Sequence, residues 1–430
     1  MTRNTGNVVT LYDVARLARV STATVSRVVH GQDRVRPSTR ERVTQVIEEL
    51  GYVPDGAAQS LSRRRKDIIG LVCVERRAKQ YDIENMNLLF YDEILRGVES
   101  RIRDCPSWSL LITYLQAEQE DAYSRLQSLQ AKVDGLLIAE GVVGSPQLAR
   151  LNERIPVVVI AGDPGERAAD VVTSDNWSGS VALVSHLISE HGRRRFFYVD
   201  GPPGVSDAAQ RRLAFEHVLR GHPECQLTGS YPGLFSVQSG EEAGASLVAA
   251  TRDDPPDAIV CGNDQMAIGV LQALARHDIA VPQDVAVVGF DDIYPGSISH
   301  PPLTTVHQPM GRLGERACAR LLDRIGQPAG RRTVELLETE LVLRSSCGCP
   351  PGASSRRPVQ PVEQPAPAPA ALPAARPRAL AARAGRQSPD LTPARLTARP
   401  PDSAPALLPV PTATAASTAA AASAISPTPS

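Results

Sequence analysis

The sequence predicts an all-α head followed by a hinge helix, an α/β body of two doubly wound, parallel-sheet lobes, and a disordered C-terminal tail. Three observations lead to this prediction: capped helical patterns in residues 8–54, strand–helix alternation over residues 67–346, and a proline- and alanine-rich composition over residues 351–430. Residues 55–66 are assigned to the hinge helix and a basic linker. Because 430 residues exceed what one hydrophobic core usually holds, several domains are expected.

Charge is distributed unevenly along the chain, although the formal net charge is only −1. Residues 1–66 carry twelve Lys or Arg against six Asp or Glu, and residues 351–430 carry eight Arg against three acids. Surpluses of six and five positive charges at the two ends leave −12 for the residues between them. A basic head on an acidic body favours a polyanionic partner for the head.

The tail differs from the rest of the chain in composition. In residues 351–430, 40 of 80 residues are Pro or Ala, and Phe, Tyr and Trp are absent. Such a segment buries too little apolar surface to offset the entropy lost on ordering, so we expect it to be disordered.

The sequence lacks membrane, export and metal-binding patterns. It has no run of about 18 apolar residues, and its N-terminus lacks an apolar segment before a small-residue cleavage site. Its seven cysteines have no framework spacing, which is typical of reduced thiols, so we expect a cytoplasmic protein without a membrane partner. Cys347-Gly348-Cys349 is either a metal or redox fragment or a stray pair. With no His or Cys cluster near it, we interpret it as a stray pair and expect no metal and no cofactor.

Helix caps and apolar spacing predict three helices in the head. Thr10 precedes a helix whose apolar residues recur at i, i+3, i+4 and i+7. Ser21 caps a second helix that ends before Gly31, and Pro37 begins a third that stops at Gly51. Two short helices with a tight turn between them, braced by a third, form the helix-turn-helix pattern.

The second helix of this pattern lies in the major groove of DNA and presents its N-terminal residues to base edges. In this chain those residues are Thr22, Ala23, Ser26 and Arg27. Arg27 is able to bond bidentately to guanine, and the hydroxyls of Ser21, Thr24 and Ser26 suit phosphate oxygens. The alternative, an amphipathic helix with exposed Ser and Thr, is disfavoured by the neighbouring caps and the basic surplus.

The hinge segment is too short to hold a helix alone in water. Small residues at 57 and 58 allow two copies to approach closely, and Leu61 stands next to four positive charges. An apolar side chain beside basic residues suits insertion between base steps in a minor groove. On local evidence, a flexible linker with an incidental Leu61 fits equally well.

The body alternates apolar runs with amphipathic patterns, which favours parallel sheets with right-handed crossovers. The predicted strands are 68–74, 109–115, 133–141, 155–163, 195–202, 258–264 and 285–292, and the predicted helices are 92–103, 119–131, 177–191, 207–220, 238–250 and 265–277. This is more than one sheet needs, so we expect two lobes with a cleft between them. The N-lobe is expected at about 67–162 and 308–326, and the C-lobe at about 163–304 and 330–346. Ligands bind at the carboxyl ends of such strands, which here carry Asp163, Asn263-Asp264 and Asp291-Asp292.

In their order, these features closely resemble the lactose-repressor/galactose-repressor family of bacterial transcription regulators. The resemblance covers residues 8–346 and is carried by the motifs VTLYDVARLARVSTATVSRVVHG, TRERVTQVIEELGYVPDGAAQSL, AIVCGNDQMAIGVLQAL and VAVVGFDDIYPGSISHPPLTTVHQPMGRLGERA. It implies a homodimeric, nucleoid-associated repressor that reads a near-palindromic, double-stranded DNA operator. It also implies paired hinge helices that insert Leu61 into the minor groove, and a body with the fold of a periplasmic sugar-binding protein.

The expected DNA-binding residues combine the helix-turn-helix contacts with those that the family resemblance adds. They are Thr10, Tyr12, Ser21, Thr22, Ala23, Thr24, Ser26, Arg27, His30, Ala58 and Leu61.

The resemblance further implies a small-molecule effector, a sugar, in the cleft. Arg211, four residues before Phe215, has the spacing of the family's pocket arginine, and Arg212 is the alternative if the register slips by one. The other implied ligand-binding residues are Phe90, Phe235, Asn263, Asp291 and Gln308. A neutral polyol needs such a mixture of donors and acceptors beside an apolar platform. Whether the effector weakens or strengthens DNA binding is left open.

Two other classes of protein fit the sequence less well. A transport binding protein would share the two-lobed body but has no use for residues 8–62. An enzyme would use Asp291 and Asp292 as acid and base, yet adjacent residues on one strand point to opposite faces. The sequence shows no nucleophile–base set or phosphate loop, so we expect no catalytic activity.

Overall fold

The computed structural model describes residues 9–29, 35–52, 65–75, 88–105, 107–116, 121–250, 255–350, 352 and 355–365. Three predicted DNA contacts, His30, Ala58 and Leu61, lie outside the described residues, as does most of the predicted hinge. Among the helices of the described ranges, none is long and apolar enough to cross a bilayer.

The head consists of helices α1 (Leu11–Leu17), α2 (Thr22–Val29) and α3 (Pro37–Leu50), as the caps predict. They pack around a small core made of Val14, Ala15, Ala18, Val25, Val28, Val43, Val46 and Tyr52. Arg19 adopts a φ of 52° in the turn between α1 and α2, which lets the chain reverse within a few residues. Gly51 ends α3 with a φ of 60°, the left-handed conformation for which glycine is suited.

The body alternates strands with helices, as the sequence predicts. Its elements are β1 (Ile68–Glu75), α4 (Leu88–Arg103), β2 (Ser109–Gln116), α5 (Ala122–Gln130), β3 (Gly135–Ala139), α6 (Ser145–Asn152), β4 (Val157–Ile160), β5 (Asp170–Ser174), α7 (Asn176–Ser189), β6 (Arg195–Asp200), α8 (Ser206–Gly221), β7 (Gln226–Pro232), α9 (Val237–Ala250), β8 (Ala258–Cys261), α10 (Asp264–Arg276), β9 (Ala286–Val288), α11 (Tyr294–Ser297), β10 (Thr305–His307), α12 (Met310–Gly326), β11 (Val334–Leu337), β12 (Glu340–Leu343), a 3₁₀ turn (Ser345–Cys347) and β13 (Ser355–Pro358).

Two parallel sheets form the two lobes. The N-lobe sheet has six strands in the order β11-β5-β4-β3-β1-β2, and the C-lobe sheet has four in the order β7-β6-β8-β9. A small antiparallel sheet, β10-β12-β13, completes the C-lobe. Every residue of β3 and β8 is buried, because helices cover both faces of a parallel sheet. This burial explains why these strands appear in the sequence as continuous apolar runs.

The N-lobe sheet contains two strands that the sequence analysis assigns to the C-lobe. β5 and β11 pair with each other in the N-lobe sheet, although residues 163–304 and 330–346 are predicted to lie in the C-lobe. Each is a short strand in an edge region of the sheet, and its sequence contains acidic or polar residues that hide the apolar run.

The predicted start of the disordered tail at residue 351 is wrong. β13 pairs with β12 in antiparallel register, and Val359 behind it is buried. Composition averaged over 80 residues concealed this short basic strand. Residues 366–430 lie outside the described part of the chain.

The chain crosses between the lobes three times, after β5, after β10 and after β11. The crossing segments are bonded to one another. Asp175 N donates to Leu337 O at 2.8 Å, and Ser174 Oγ donates to Gln308 Oε1 at 3.1 Å. The three crossings therefore form one connection at the base of the cleft between the lobes.

Candidate DNA-reading head and ligand-binding cleft

Helix α2 buries one face and exposes the other, as a reading helix requires. Val25 and Val28 are buried, whereas Ala23 and Arg27 are exposed. Ser21 Oγ accepts a hydrogen bond from Thr24 N at 3.2 Å, so Ser21 caps the helix as predicted. The exposed face therefore carries an arginine, Arg27, and small side chains at the helix N-terminus.

The start of α1 presents two further side chains to solvent. The Asp13 carboxylate accepts hydrogen bonds from Thr10 N at 3.1 Å and Thr10 Oγ at 2.7 Å, and these bonds lower the pKa of Asp13. Tyr12 is 76% exposed. An aromatic ring so far outside the core is available to a partner.

All six sequence-predicted ligand residues line one cleft between the two lobes. Phe90 lies on α4, Arg211 on α8, and Asn263 at the start of α10. The other three lie in connections: Phe235 before α9, Asp291 after β9 and Gln308 after β10. The cleft lies at the carboxyl ends of the strands, as expected for doubly wound lobes.

Arg211 lies at the centre of the cleft's polar network and is only 3% exposed. Its Nη1 donates to Gly262 O at 2.7 Å, and its Nε donates to Asn176 Oδ1 at 2.8 Å. Two carboxylates balance its charge: Asp291 Oδ1 lies 3.4 Å from Nη1 and Asp207 Oδ2 lies 3.7 Å from Nη2. The guanidinium also stacks 3.8 Å from the centre of the Phe290 ring, so it is held rigidly.

The geometry decides between Arg211 and Arg212. Arg212 lies outside the cleft, where its Nε bonds Glu216 Oε1 at 2.7 Å and its Nη1 lies 3.1 Å from Asp200 Oδ2. Adjacent helical residues point about 100° apart, so only one of the two arginines faces the cleft. That residue is Arg211.

Asp291 and Asp292 face different surroundings. Gln308 Nε2 donates to Asp291 Oδ1 at 2.6 Å inside the cleft, whereas Asp292 bonds Arg344 at 2.6 Å and Arg356 at 2.7 Å outside it. The two aspartates follow β9 with φ values of 124° and 61°, so backbone conformation rather than strand alternation separates them. Burial raises the pKa of Asp291 to about 6, against the opposing effect of Arg211.

Asn263 and Phe235 shape the C-lobe wall of the cleft. Asn263 Oδ1 caps α10 by accepting from Met266 N at 3.0 Å, so part of its polarity already serves the fold. Phe235 has a φ of 59°, and a side chain at Gly201 would come within 2.4 Å of its ring. The glycine therefore lets the ring pack close to the backbone, where it presents a flat apolar surface.

The sequence analysis missed Glu140, which directly follows β3 in the N-lobe and reaches across the cleft. Its Oε2 accepts from Ser206 N at 2.7 Å, and its other oxygen accepts from the Ser206 hydroxyl at the start of α8. Burial raises the pKa of Glu140 to about 7, although the bonds from Ser206 oppose the shift. An acidic residue directly after an apolar strand was the signal available in the sequence.

Asp207 was also missed. It is buried, and its Oδ1 accepts a hydrogen bond from Asn176 Nδ2 at 2.8 Å. Burial raises the pKa of Asp207, although Arg211 opposes the shift. Its position four residues before Arg211 on one helix predicts the ion pair, because side chains at i and i+4 are neighbours.

The interpretation of Cys347 and Cys349 as a pair with no histidine near it is wrong in three dimensions. The fold brings His186 against both sulfurs and His191 against that of Cys349, although both histidines lie more than 150 residues away in sequence. Sequence distance concealed this cluster.

A DNA-reading head followed by a two-lobed ligand cleft defines a class of protein: a transcription regulator that combines a DNA-binding domain with an effector-binding domain. The comparisons with known proteins agree with this class. Residues 10–55 match the model of bacterial regulatory proteins of the lacI family, and residues 184–347 match that of the periplasmic binding protein-like domain. The predicted fold class is confirmed.

The chain belongs to the lacI family of bacterial regulatory proteins. It is 30% identical over 345 residues to the HTH-type transcriptional repressor PurR of Pasteurella multocida, covering 78% of this chain and 98% of that protein. It is 33% identical over 326 residues to the ribose operon repressor of Escherichia coli K12, covering 74% and 94%. The sequence-based family assignment is therefore confirmed.

Solved structures show the same architecture. The lac repressor dimer bound to operator and the anti-inducer ONPF matches with a TM-score of 0.70 at 26% identity, covering 79% of this chain and 99% of that one. The complex of the transcriptional regulator CelR with cellobiose matches with a TM-score of 0.57 at 30% identity, covering 79% and 99%.

Proposed function

We propose that this protein is a homodimeric repressor that binds a near-palindromic operator through its head and responds to a neutral sugar in the cleft. The observation that carries the proposal is the meeting of six side chains from six chain segments around one interlobe cleft. The lac repressor structure, a dimer on its operator, and the cellobiose complex of CelR support the partners proposed here. Such a protein acts on DNA in the bacterial cytoplasm.

The charges in the cleft favour an uncharged ligand. Glu140, Asp207 and Asp291 provide three carboxyl groups, against one guanidinium from Arg211. Because this guanidinium is already paired with two carboxylates, an anionic ligand would find no free cation among the lining residues described here. A polyol hydroxyl both donates and accepts, so it suits carboxylate, amide and guanidinium groups at once. The rings of Phe90 and Phe235 supply the apolar platform.

The proposed specificity of the head rests on Arg27. Among the described residues of α2, Arg27 is the one long cationic side chain on an exposed face whose neighbours are small. The hydroxyls of Ser21, Thr24 and Ser26 and the side chains of Thr10 and Tyr12 fix the position of the helix through phosphates, and Thr22 and Ala23 lie beside Arg27 towards the base edges. Phosphate contacts by the basic head also make affinity fall steeply as salt rises.

The ligand acts by changing the equilibrium between lobe arrangements. Phe90 and Gln308 belong to the N-lobe side and Arg211 to the C-lobe, so a sugar that bonds both sides favours one interlobe angle. A coupling of about 1–3 kcal/mol between cleft and head changes operator affinity roughly 5–150-fold. Its sign is measured by adding the sugar to the operator complex.

The test begins with genome-wide mapping of bound sites, followed by operator binding with candidate sugars. Asp291→Asn keeps the side-chain shape but removes the charge that Gln308 and Arg211 contact, so we expect the sugar response to be lost and operator affinity to be retained. Asp163→Asn, at an exposed strand end, is the matched control and should respond normally. Absence of a palindromic site would refute operator binding, and loss of both activities in Asp291→Asn would assign that residue to the fold.

We also propose that the protein does not catalyse a reaction. Asp291 and Asp292 do not face a common space, and the paired carboxyl groups of the cleft are engaged with Arg211 and Ser206. Incubation of the sugar that binds with excess protein should return it unchanged, and turnover would contradict the proposal.

A further inference from the structure

Four potential metal ligands converge at one end of the C-lobe, away from the residues that line the cleft. His186 lies in the last turn of α7 and His191 follows that helix. Cys347 ends the 3₁₀ turn, and Cys349 follows it after Gly348. Their ligand atoms, two Nε2 and two Sγ, all lie within 4.8 Å of one another. His186 and Cys347 are buried, and the other two are partly exposed.

Four of the six ligand–ligand distances are close to those of a tetrahedral site, and the other two are no longer than 4.8 Å. The two Nε2 atoms are 3.1 Å apart, Cys347 Sγ and Cys349 Sγ each lie 3.6 Å from His186 Nε2, and Cys349 Sγ lies 3.5 Å from His191 Nε2. Zinc binds nitrogen at about 2.0–2.1 Å and sulfur at about 2.3 Å. In a tetrahedron these bonds place two nitrogens about 3.3 Å apart, and a nitrogen and a sulfur about 3.6 Å apart.

The backbone around the cluster holds the ligands in this arrangement. Gly348 has a φ of 118°, and a side chain there would come within 3.0 Å of His191 Nδ1. A glycine between the two cysteines therefore lets the turn close over the imidazole. Thr304 Oγ1 lies 3.1 Å from Cys347 Sγ, the kind of outer contact that orients a metal ligand.

We propose that His186, His191, Cys347 and Cys349 bind one Zn²⁺ ion as a structural site. Two imidazoles and two cysteines form a Cys₂His₂ donor set, the type that zinc takes in closed, four-coordinate structural sites. All four positions are filled by the protein, which leaves none for a substrate. Binding forms two Zn–S and two Zn–N bonds and releases the two thiol protons to solvent.

The ion joins α7 to the segment that leads into β13. β13 carries Arg356, whose Nη2 lies 2.7 Å from Asp292 beside the cleft, and Val359 behind it is buried. Zinc therefore fastens the last described strand to the lobe that binds the effector. Because the ion binds the folded arrangement, it adds to folding stability by an amount that grows with the logarithm of its free concentration relative to its Kd.

Cobalt substitution tests the site in the full-length, tag-free, reduced chain. Titration of the metal-free protein with Co²⁺ should give about one bound ion per chain, with the visible absorption of tetrahedral cobalt and a thiolate-to-cobalt charge-transfer band. Zn²⁺ should displace both signals and raise the Tm. Six-coordinate cobalt absorption without a charge-transfer band would overturn the proposal.

Two cysteine variants separate this site from other thiols. Cys349→Ser should lose most of the charge-transfer intensity and the zinc-dependent rise in Tm, whereas Cys225→Ser should retain both, because Cys225 is a half-buried cysteine of the same lobe outside the cluster. Equal spectra in the two variants would contradict the assignment. If Cys349→Ser does not fold, zinc-edge X-ray absorption of the wild-type chain decides: two sulfurs and two nitrogens support the site, and an oxygen shell refutes it.

Discussion

The head and the cleft solve the problem of recognition in opposite ways. The head presents exposed, small side chains and one arginine on a helix whose other face is apolar, and all its described helices lie within residues 11–50. The cleft buries its charged groups and gathers them from segments that span residues 90–308. The head therefore depends on local helix geometry, and the cleft depends on the complete fold.

This difference determines what a substitution does in each region. A polar side chain exposed on α2 has water as an alternative partner, so its removal changes DNA binding and leaves the fold intact. A charged group in the cleft has only its protein partners, and removing one leaves the others buried and unpaired. Function and stability are separable in the head and coupled in the cleft.

The largest expected effect comes from Arg211→Met. Its loss leaves Asp207 and Asp291 without their buried cation, so the free energy of unfolding should fall by about 3–5 kcal/mol, as measured by urea denaturation. Arg212→Met is the neighbouring control, whose partly exposed ion pairs should cost no more than about 1 kcal/mol. Similar losses for both variants would remove the distinction between buried and exposed pairs.

Arg27→Ala tests whether, in the head, DNA binding changes without a change in stability. We expect unchanged unfolding and a loss of about 1–3 kcal/mol in operator binding, with relaxed preference at one base position. Binding to a library of operator variants measures both quantities. Arg16→Ala, on α1, is the cationic control and should leave base preference unchanged. Uniform weakening of Arg27→Ala across all sequences would mean that Arg27 contacts phosphate alone.

The interlobe bond of Glu140 predicts a pH dependence. Because burial raises the pKa of Glu140 from 4.5 to about 7, the folded protein binds more protons than the unfolded chain between these values. This contribution to stability is present below about pH 4.5, falls as the pH rises towards 7, and stays level above it. Glu140→Gln should make Tm fall less steeply between pH 5 and 7, because the variant lacks the carboxyl group whose titration lowers stability in this range. Glu153→Gln, on the exposed end of α6, should retain the wild-type slope, and equal slopes in all three would refute the assignment.

The smallest expected effect is that of Thr10→Ala. It removes the hydroxyl that donates to Asp13 at the start of α1, which should lower the stability of the head by at most about 1 kcal/mol. Thermal unfolding of the head measures the change in stability, and Thr10→Ser should restore the wild-type value. A fall in operator affinity beyond this loss of stability supports the proposed phosphate contact of Thr10, and equal losses would contradict that contact.

What could be predicted from the sequence follows the same division. The helices of the head are specified by nearby residues, such as Ser21 and Gly51, and periodicity locates them within a residue or two. The six predicted ligand residues come from the family resemblance, and the structure brings their side chains to one cleft. Glu140 and Asp207 were missed because single acids at strand or helix ends carry no periodic signal. The His186–Cys347 contact joins residues 161 positions apart, and no local pattern encodes it.

The triple crossing between the lobes also has a consequence for how such proteins are recombined. Each lobe consists of separate stretches of sequence, because β5 and β11 lie side by side in one sheet although about 160 residues separate them. Exchanging one lobe between relatives would require three junctions, each placed inside bonded segments such as Asp175 and Leu337. The helices of the head form one continuous stretch, so a single junction is enough to give the same body a new DNA target. Operator specificity can therefore be transferred by exchanging the head as one segment, whereas effector specificity is changed more readily by substituting individual residues of the cleft.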